Sequence, residues 1–139
     1  MLPVMVADMD AGKRPRQARF IDLLVGRKLE YVRLGHADAL SFSGGCQVLI
    51  ESRARLIGVR GRVDVEPGTL SSEAFAALLG DVVTSARAFE TGELQLCFGS
   101  GAELLVSADA DFESWAVSGP DGFLIVCLAR GELAVWGTN

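Results

Sequence analysis

Two stretches of this chain align without a gap at an offset of 56 residues, and both carry the two-residue alternation of a strand–turn–strand hairpin. Leu40-Ser41-Phe42-Ser43-Gly44-Gly45-Cys46-Gln47-Val48-Leu49-Ile50 lies over Leu96-Cys97-Phe98-Gly99-Ser100-Gly101-Ala102-Glu103-Leu104-Leu105-Val106. Upstream, Phe20-Ile21-Asp22-Leu23-Leu24 lies over Phe75-Ala76-Ala77-Leu78-Leu79 at an offset of 55, before the extra Val25. Two matched segments in the same order point to two copies of one supersecondary unit. Two copies are too few for a solenoid and suit a pseudo-symmetric domain instead.

Each unit reads as a helix followed by three strands. Phe75, Leu78, Leu79 and Val82 fall at i, i+3, i+4 and i+7, the stripe of an amphipathic helix. Ser71 or Ser72 can cap its start, and Gly80 suits its left-handed end. Phe20, Leu23, Leu24 and Gly26 make a shorter version. Strands are expected at 28–34 and 82–89, and the next pairs turn at Gly44-Gly45 and Gly99-Ser100-Gly101, where glycine accepts positive φ. Leu49 and Leu105 fall on the less apolar side of the third strands. Coverage by the helices is the expected reason, and exposure would mark an interface. Residues 56–65 read as one further strand, and Pro120-Asp121-Gly122 as a turn within a C-terminal strand extension.

The expected fold class is therefore α+β: a predominantly antiparallel sheet from two helix-plus-three-strand units, at about 20–65 and 75–107, with C-terminal strands over 115–136 and two short helices on the sheet. Residues 18–139 form the expected single domain, and residues 1–17, with Lys13-Arg14-Pro15-Arg16, read as a flexible arm. Half of the 139 residues are apolar, enough for a core without disulfide or metal support.

Composition narrows the function classes. Cys46, Cys97 and Cys127 are odd in number and widely spaced, and His36 is the only histidine. That is not the ligand spacing of a zinc site, so no metal and no cofactor is expected. Buried reduced thiols and a cytoplasmic location fit better. The apolar start Met1–Val6 runs at once into Asp8 and Asp10, unlike a secretory signal, and no stretch reaches membrane-span length. Residues 1–65 carry 11 Lys+Arg against 7 Asp+Glu, and residues 66–139 carry 2 against 11. The acidic half argues against nucleic acid and fits a basic protein partner.

Several constellations invite chemistry. Asp109-Ala110-Asp111-Phe112-Glu113 alternates three carboxylates, but Ser114 and Pro120 stand where a calcium-binding EF-hand needs glycine and glutamate. His36 with Asp38 begins an acid–base pair, with Ser41, Ser43 and Cys46 near in sequence. Arg53, Arg55, Arg60 and Arg62 are spaced in twos, the pattern of a solvated strand edge or an anion-binding face. Trp115 and Trp136 read as core anchors that would be binding hot spots if exposed.

The pattern Gly92-x-Leu94-x-Leu96-x-Phe98-x-x-Gly101, then Phe112-Glu113-x-Trp115, then Gly131-Glu132-Leu133-Ala134-Val135-Trp136, resembles an uncharacterised, mainly actinobacterial family, domain of unknown function 6188. The likeness spans about residues 20–136 and departs from the family pattern at Arg130, where a second glycine is usual. The resemblance implies no activity and carries over no catalytic residue. The resulting expectation is a non-enzymatic cytoplasmic protein-binding module, immunity- or antitoxin-like, with Asp109, Asp111, Glu113 and Trp115 as the partner-binding set. The alternatives are a small-molecule-binding protein or enzyme with a pocket between sheet and helices, or a homo-oligomer built on the strand faces around Leu49 and Leu105.

Overall fold

The computed structural model describes residues 21–59 and 61–137. The expected arm over 1–17, Phe20 and Arg60 lie outside the described residues. Alternation becomes eleven strands: β1 (Leu29–Arg33), β2 (Asp38–Phe42), β3 (Cys46–Ile50), β4 (Ala54–Gly58), β5 (Gly61–Val65), β6 (Val83–Ala88), β7 (Leu94–Phe98), β8 (Glu103–Val106), β9 (Trp115–Ser118), β10 (Leu124–Cys127) and β11 (Leu133–Trp136). They form two antiparallel sheets, ordered β1-β2-β3-β9-β10-β11 and β5-β4-β8-β7-β6.

This overturns the α+β expectation: the structure is mostly β, and among the described residues no pair of α-helices covers a sheet. The helical segments among the described residues are 3₁₀, at residues 21–24 and Leu70–Leu78, with single turns at Pro120–Gly122 and Ala129–Gly131. The reason lies in the period. A 3₁₀ helix has three residues per turn, so Ser72, Phe75 and Leu78 stack on one buried line. Leu79 and Val82, which an α-helical stripe would bury, are instead 48% and 37% exposed. In the first segment Ile21 and Leu24, also three apart, are the fully buried pair. The cap is Thr69 rather than either serine, its side chain accepting from the Ser71 amide at 3.3 Å.

The two three-strand meanders meet at their starts. Gly26 N donates to Val83 O and Gly80 N to Leu29 O, both at 2.8 Å, and Val83 N to Arg27 O and Leu29 N to Asp81 O, both at 2.9 Å. Each bond maps onto its mate through a shift of 54 residues (26 to 80, 29 to 83). The ladder shifts register at corresponding places, between Leu29 and Tyr31 and between Val83 and Ser85.

Each meander is then extended by a strand that follows the other one. β3 leaves its sheet through residues 51–53, and β4 pairs with β8; β8 leaves through 107–114, and β9 pairs with β3. The two crossings run side by side: Ser107 N donates to Arg53 O at 3.0 Å, Glu51 N to Ser114 O at 2.8 Å, and Ser52 Oγ to Ser107 O at 2.5 Å. Residues 56–65, expected as one strand, fold back as the β4–β5 hairpin with Gly61 at φ +105°.

The inward faces of both sheets merge into one apolar cluster, with Trp115, Phe75, Ile50, Leu96 and Ile125 fully buried. Burial of such side chains, at roughly 25 cal/mol per Å² of apolar surface, is the main favourable term. One carboxylate lies inside as well. Asp38 is fully buried, and its Oδ2 accepts from Ser72 Oγ at 2.6 Å, tying the 3₁₀ helix to β2. The helices do not cover Leu49 and Leu105: the 3₁₀ helix packs on β5 and β1, and both leucines stay half-buried on outward faces. Ser72→Ala, which leaves the buried Asp38 carboxylate short of a donor, should cost about 1–3 kcal/mol in chemical denaturation.

Candidate functional site

The crossing loop 107–114 carries the acidic set and is shaped by its own backbone chemistry. Asp109 Oδ1 accepts from Asp111 N at 2.8 Å and from Phe112 N at 3.2 Å. An Asx turn of this kind holds the loop in one conformation. The Asp109 carbonyl accepts from Arg130 N at 2.8 Å, which fixes the loop to the β10–β11 turn. Asp109 is half-buried, Asp111 and Glu113 are exposed, and Phe112 stands 72% exposed between them.

A cleft of about 450 Å³ opens beside this loop, lined by Glu51, Ser52, Arg53, Glu66, Pro67 and residues 107–109. Its charge balance is acidic. Arg53 lies 3.7 Å from Glu66 with both side chains largely exposed, so that ion pair adds little. Burial pushes the Glu51 carboxyl above its ordinary pKa, and the neighbouring Glu113 carboxylate adds to the rise. Among the described residues no group of three or more His, Cys, Asp or Glu is placed to hold a metal ion.

Trp115 does not join the exposed set. It is fully buried, and its indole Nε1 donates to Gly92 O at 2.8 Å. The Cys127 thiol donates to the same carbonyl at 3.4 Å. Gly92 sits at φ +91°, and a Cβ there would lie 2.4 Å from Gly131 Cα; a Cβ on Gly131, at φ +88°, would lie 2.2 Å from Thr91 O. Gly92, Trp115 and Gly131 therefore form a lock between the β6–β7 turn of one sheet and the β9–β11 strands of the other. Arg130 takes φ +67°, a left-handed conformation that glycine adopts more easily.

The His36 constellation does not assemble as the sequence suggested. Asp38 pairs with Ile50 at one end of the β2–β3 ladder and Cys46 with Phe42 at the other, four residues or roughly 13 Å apart. Asp38 instead meets Ser72, 34 residues away, a partner that spacing could not reveal. Exposed His36 lies at the rim of a second cleft of about 720 Å³, together with Leu34, Leu70 and Glu73. Its polar floor, Asp38 and Ser72, is already mutually bonded. Arg55 and Arg62 share the outer face of β4–β5 with Asp64, to which Arg62 Nε bonds at 3.1 Å.

None of the three cysteines is a ready nucleophile. Burial raises the thiol pKa of each: at Cys46 Arg27 opposes the rise, at Cys97 Glu103 adds to it while Arg87 opposes it, and at Cys127 the Ser114 hydroxyl opposes it. Among the described residues, no helix is long and apolar enough to cross a membrane.

Phe112 is the residue that sequence reasoning passed over. Its signal was present, a large aromatic flanked by two carboxylates, but only the exposure of the loop separates it from a core anchor. Glu51 joins the site from the other crossing and Glu66 from the turn after β5, both distant in sequence.

Two outcomes follow. Gly131→Ala should destabilise by about 2–4 kcal/mol and Trp115→Phe by about 1–3 kcal/mol in urea unfolding, the first through backbone overlap and the second by leaving the Gly92 carbonyl only the weak Cys127 thiol as donor. The raised Glu51 pKa means that stability is fully present below the ordinary glutamate range and is lost as pH rises through the folded value. Glu51→Gln should accordingly raise the melting temperature at neutral pH, with the gain vanishing in acid and shrinking in high salt.

The model of a family of unknown function, DUF6188, matches residues 20–137. No curated protein and no solved structure matches the chain.

Proposed function

The chain belongs to the DUF6188 family, and from that premise we propose that it is a non-enzymatic protein-binding module, immunity- or antitoxin-like, whose loop 107–114 takes a basic segment of a protein partner. The observation that carries the reading is Phe112, 72% exposed on a loop pinned by Asp109 and flanked by Asp111 and Glu113. An exposed aromatic held in one conformation loses little entropy on binding, and aromatic anchors dominate interface energetics. The surrounding carboxylates add electrostatic steering towards cationic partners. Trp115 supports the loop from the core and makes no surface of its own. Three cysteines free of disulfides, Cys46 and Cys127 buried and Cys97 half-buried, favour the cytoplasm as the setting.

A second reading, a small-molecule site, has the 720 Å³ cleft beside His36 in its favour. The bonding of Asp38 to Ser72 weighs against it, since a ligand needs polar groups with capacity to spare.

The test is affinity capture from the native host with tagged wild type and Phe112→Ala. The expected result is a stoichiometric basic protein on the wild type, weakened by salt, with at least ~30-fold lower affinity for the variant. Capture of no stoichiometric protein, or of one indifferent to Phe112→Ala, removes the proposal.

A further inference from the structure

The outward face of the six-stranded sheet is apolar, and in its middle it is closed to solvent. Strand register sets Arg33, Ala39, Leu49, Ala116, Val126 and Ala134 in one row across this face, with Arg33 its only charged residue. Ala39 is 2% exposed and Val126 9%, yet neither belongs to the core cluster between the sheets. Arg33 and Leu49 flank Ala39 and screen part of it. Val126 has only Ala116 and Ala134 beside it, and an alanine does not overhang a valine. A valine on an outward sheet face with such neighbours is buried only if another part of the chain lies above it.

The described elements do not supply that cover. Among them, β2 is closely flanked only by β1 and β3, and β10 only by β9 and β11. The 3₁₀ segments turn Ile21, Leu24, Phe75 and Leu78 into the core, and Phe112 stands in solvent. After β11, Gly137 lies against Gly122 at the β9–β10 turn, and residues 138 and 139 are too few to reach Ala39, three strands away. Residue 60 belongs to the β4–β5 hairpin of the other sheet. We propose that residues 1–20 of this same chain are the occupant, laid over this row from β10 across β9 and β3 to β2.

Entry point, reach and chemistry agree on this occupant. The described chain begins at Ile21, and Leu23 packs beside Gly119 and Phe123 at the β9–β10 turn, so the segment enters at the end of β10. From that turn Val126 is about 10 Å along the strand, and Ala39 about 14 Å further across three strand spacings. About eight extended residues cover that path. The segment holds Leu2, Val4, Val6 and all three methionines, Met1, Met5 and Met9, and methionine fills shallow, irregular apolar surface well. It also carries four cations, Lys13, Arg14, Arg16 and Arg19, against Asp8 and Asp10. The covered row is bordered by exposed carboxylates, Glu51 and Glu113 at the crossing and Glu132 before β11, which complement that charge. The inference concerns the sheet face and goes beyond the reading of Phe112; failure of either leaves the other standing.

Photo-crosslinking of the full chain tests it, with p-benzoylphenylalanine in place of Ala134, beside Val126, or of Leu105, on the outward face of the other sheet. The expected product from position 134 is a single-chain adduct whose peptides join β11 to residues 1–20, with at least ~10-fold less of it from position 105. Wild type treated with a carbodiimide supplies a readout that needs no substitution. Lys13 and Lys28 are the only lysines, and Lys13 should couple within one chain to Glu51, Glu113 or Glu132. Three results overturn the proposal: no capture of residues 1–20 from position 134 or equal capture from both positions, adducts that join two chains, and a Lys13 that couples to none of these carboxylates.

Discussion

The tryptophan–glycine lock between the two sheets sets the terms for the rest of the molecule. Trp115 begins β9, the strand that joins the first meander, yet its indole reaches into the β6–β7 turn of the second to bond Gly92 O. That bond forms only if the β10–β11 turn approaches Gly92 closely, which requires a residue without a Cβ at 131. The carbonyl it satisfies is buried, and without the indole it would keep only the weak Cys127 thiol as donor. The residues that make the family pattern conspicuous, Gly92, Trp115 and Gly131, thus serve packing. Their convergence gives the motif residues a structural role, while among the described residues no group of three or more His, Cys, Asp or Glu is placed to hold a metal ion.

The crossing of the chain between sheets links this lock to the surface. Because β4 and β9 each complete the other unit's sheet, residues 51–53 and 107–114 must pass side by side at one end of the sandwich. Glu51, Glu66, Asp109 and Glu113 are gathered there, and the raised Glu51 pKa is the physical trace of that crowding. Phe112 is carried outward by the same Asx turn that orders the loop. The acidic surface at this end is a by-product of topology: the connection must be long enough to change sheets, and its middle cannot return to the core.

The two outward faces show how one pattern yields different surfaces. Leu49 and Leu105 occupy corresponding positions, and both are half-buried without helical cover. Around Leu105 stand Arg55 and Gln95; around Leu49 stand Ala39 and Ala116. The neighbours across the strands, contributed by distant segments, decide whether a leucine is a patch in a charged field or the centre of an apolar face.

Strand alternation, turn glycines and the offset match were legible because they are local: a pleat places side chains on alternate sides whatever the strand's partner. From these the chain by itself determined its hairpins, most strand positions, the burial of Cys46 and Cys127 and the acidic character of the 109–113 segment. It did not determine the helix type, since Phe75, Leu78, Leu79 and Val82 satisfy an α-helical stripe until the core accepts only every third residue. Nor did it determine which sheet β4 and β9 join, that Asp38 would meet Ser72, or that Trp115 would turn inward while Phe112 turned out. Those choices rest on contacts between residues tens of positions apart, where the energy of burial, not the geometry of the local backbone, selects the partner.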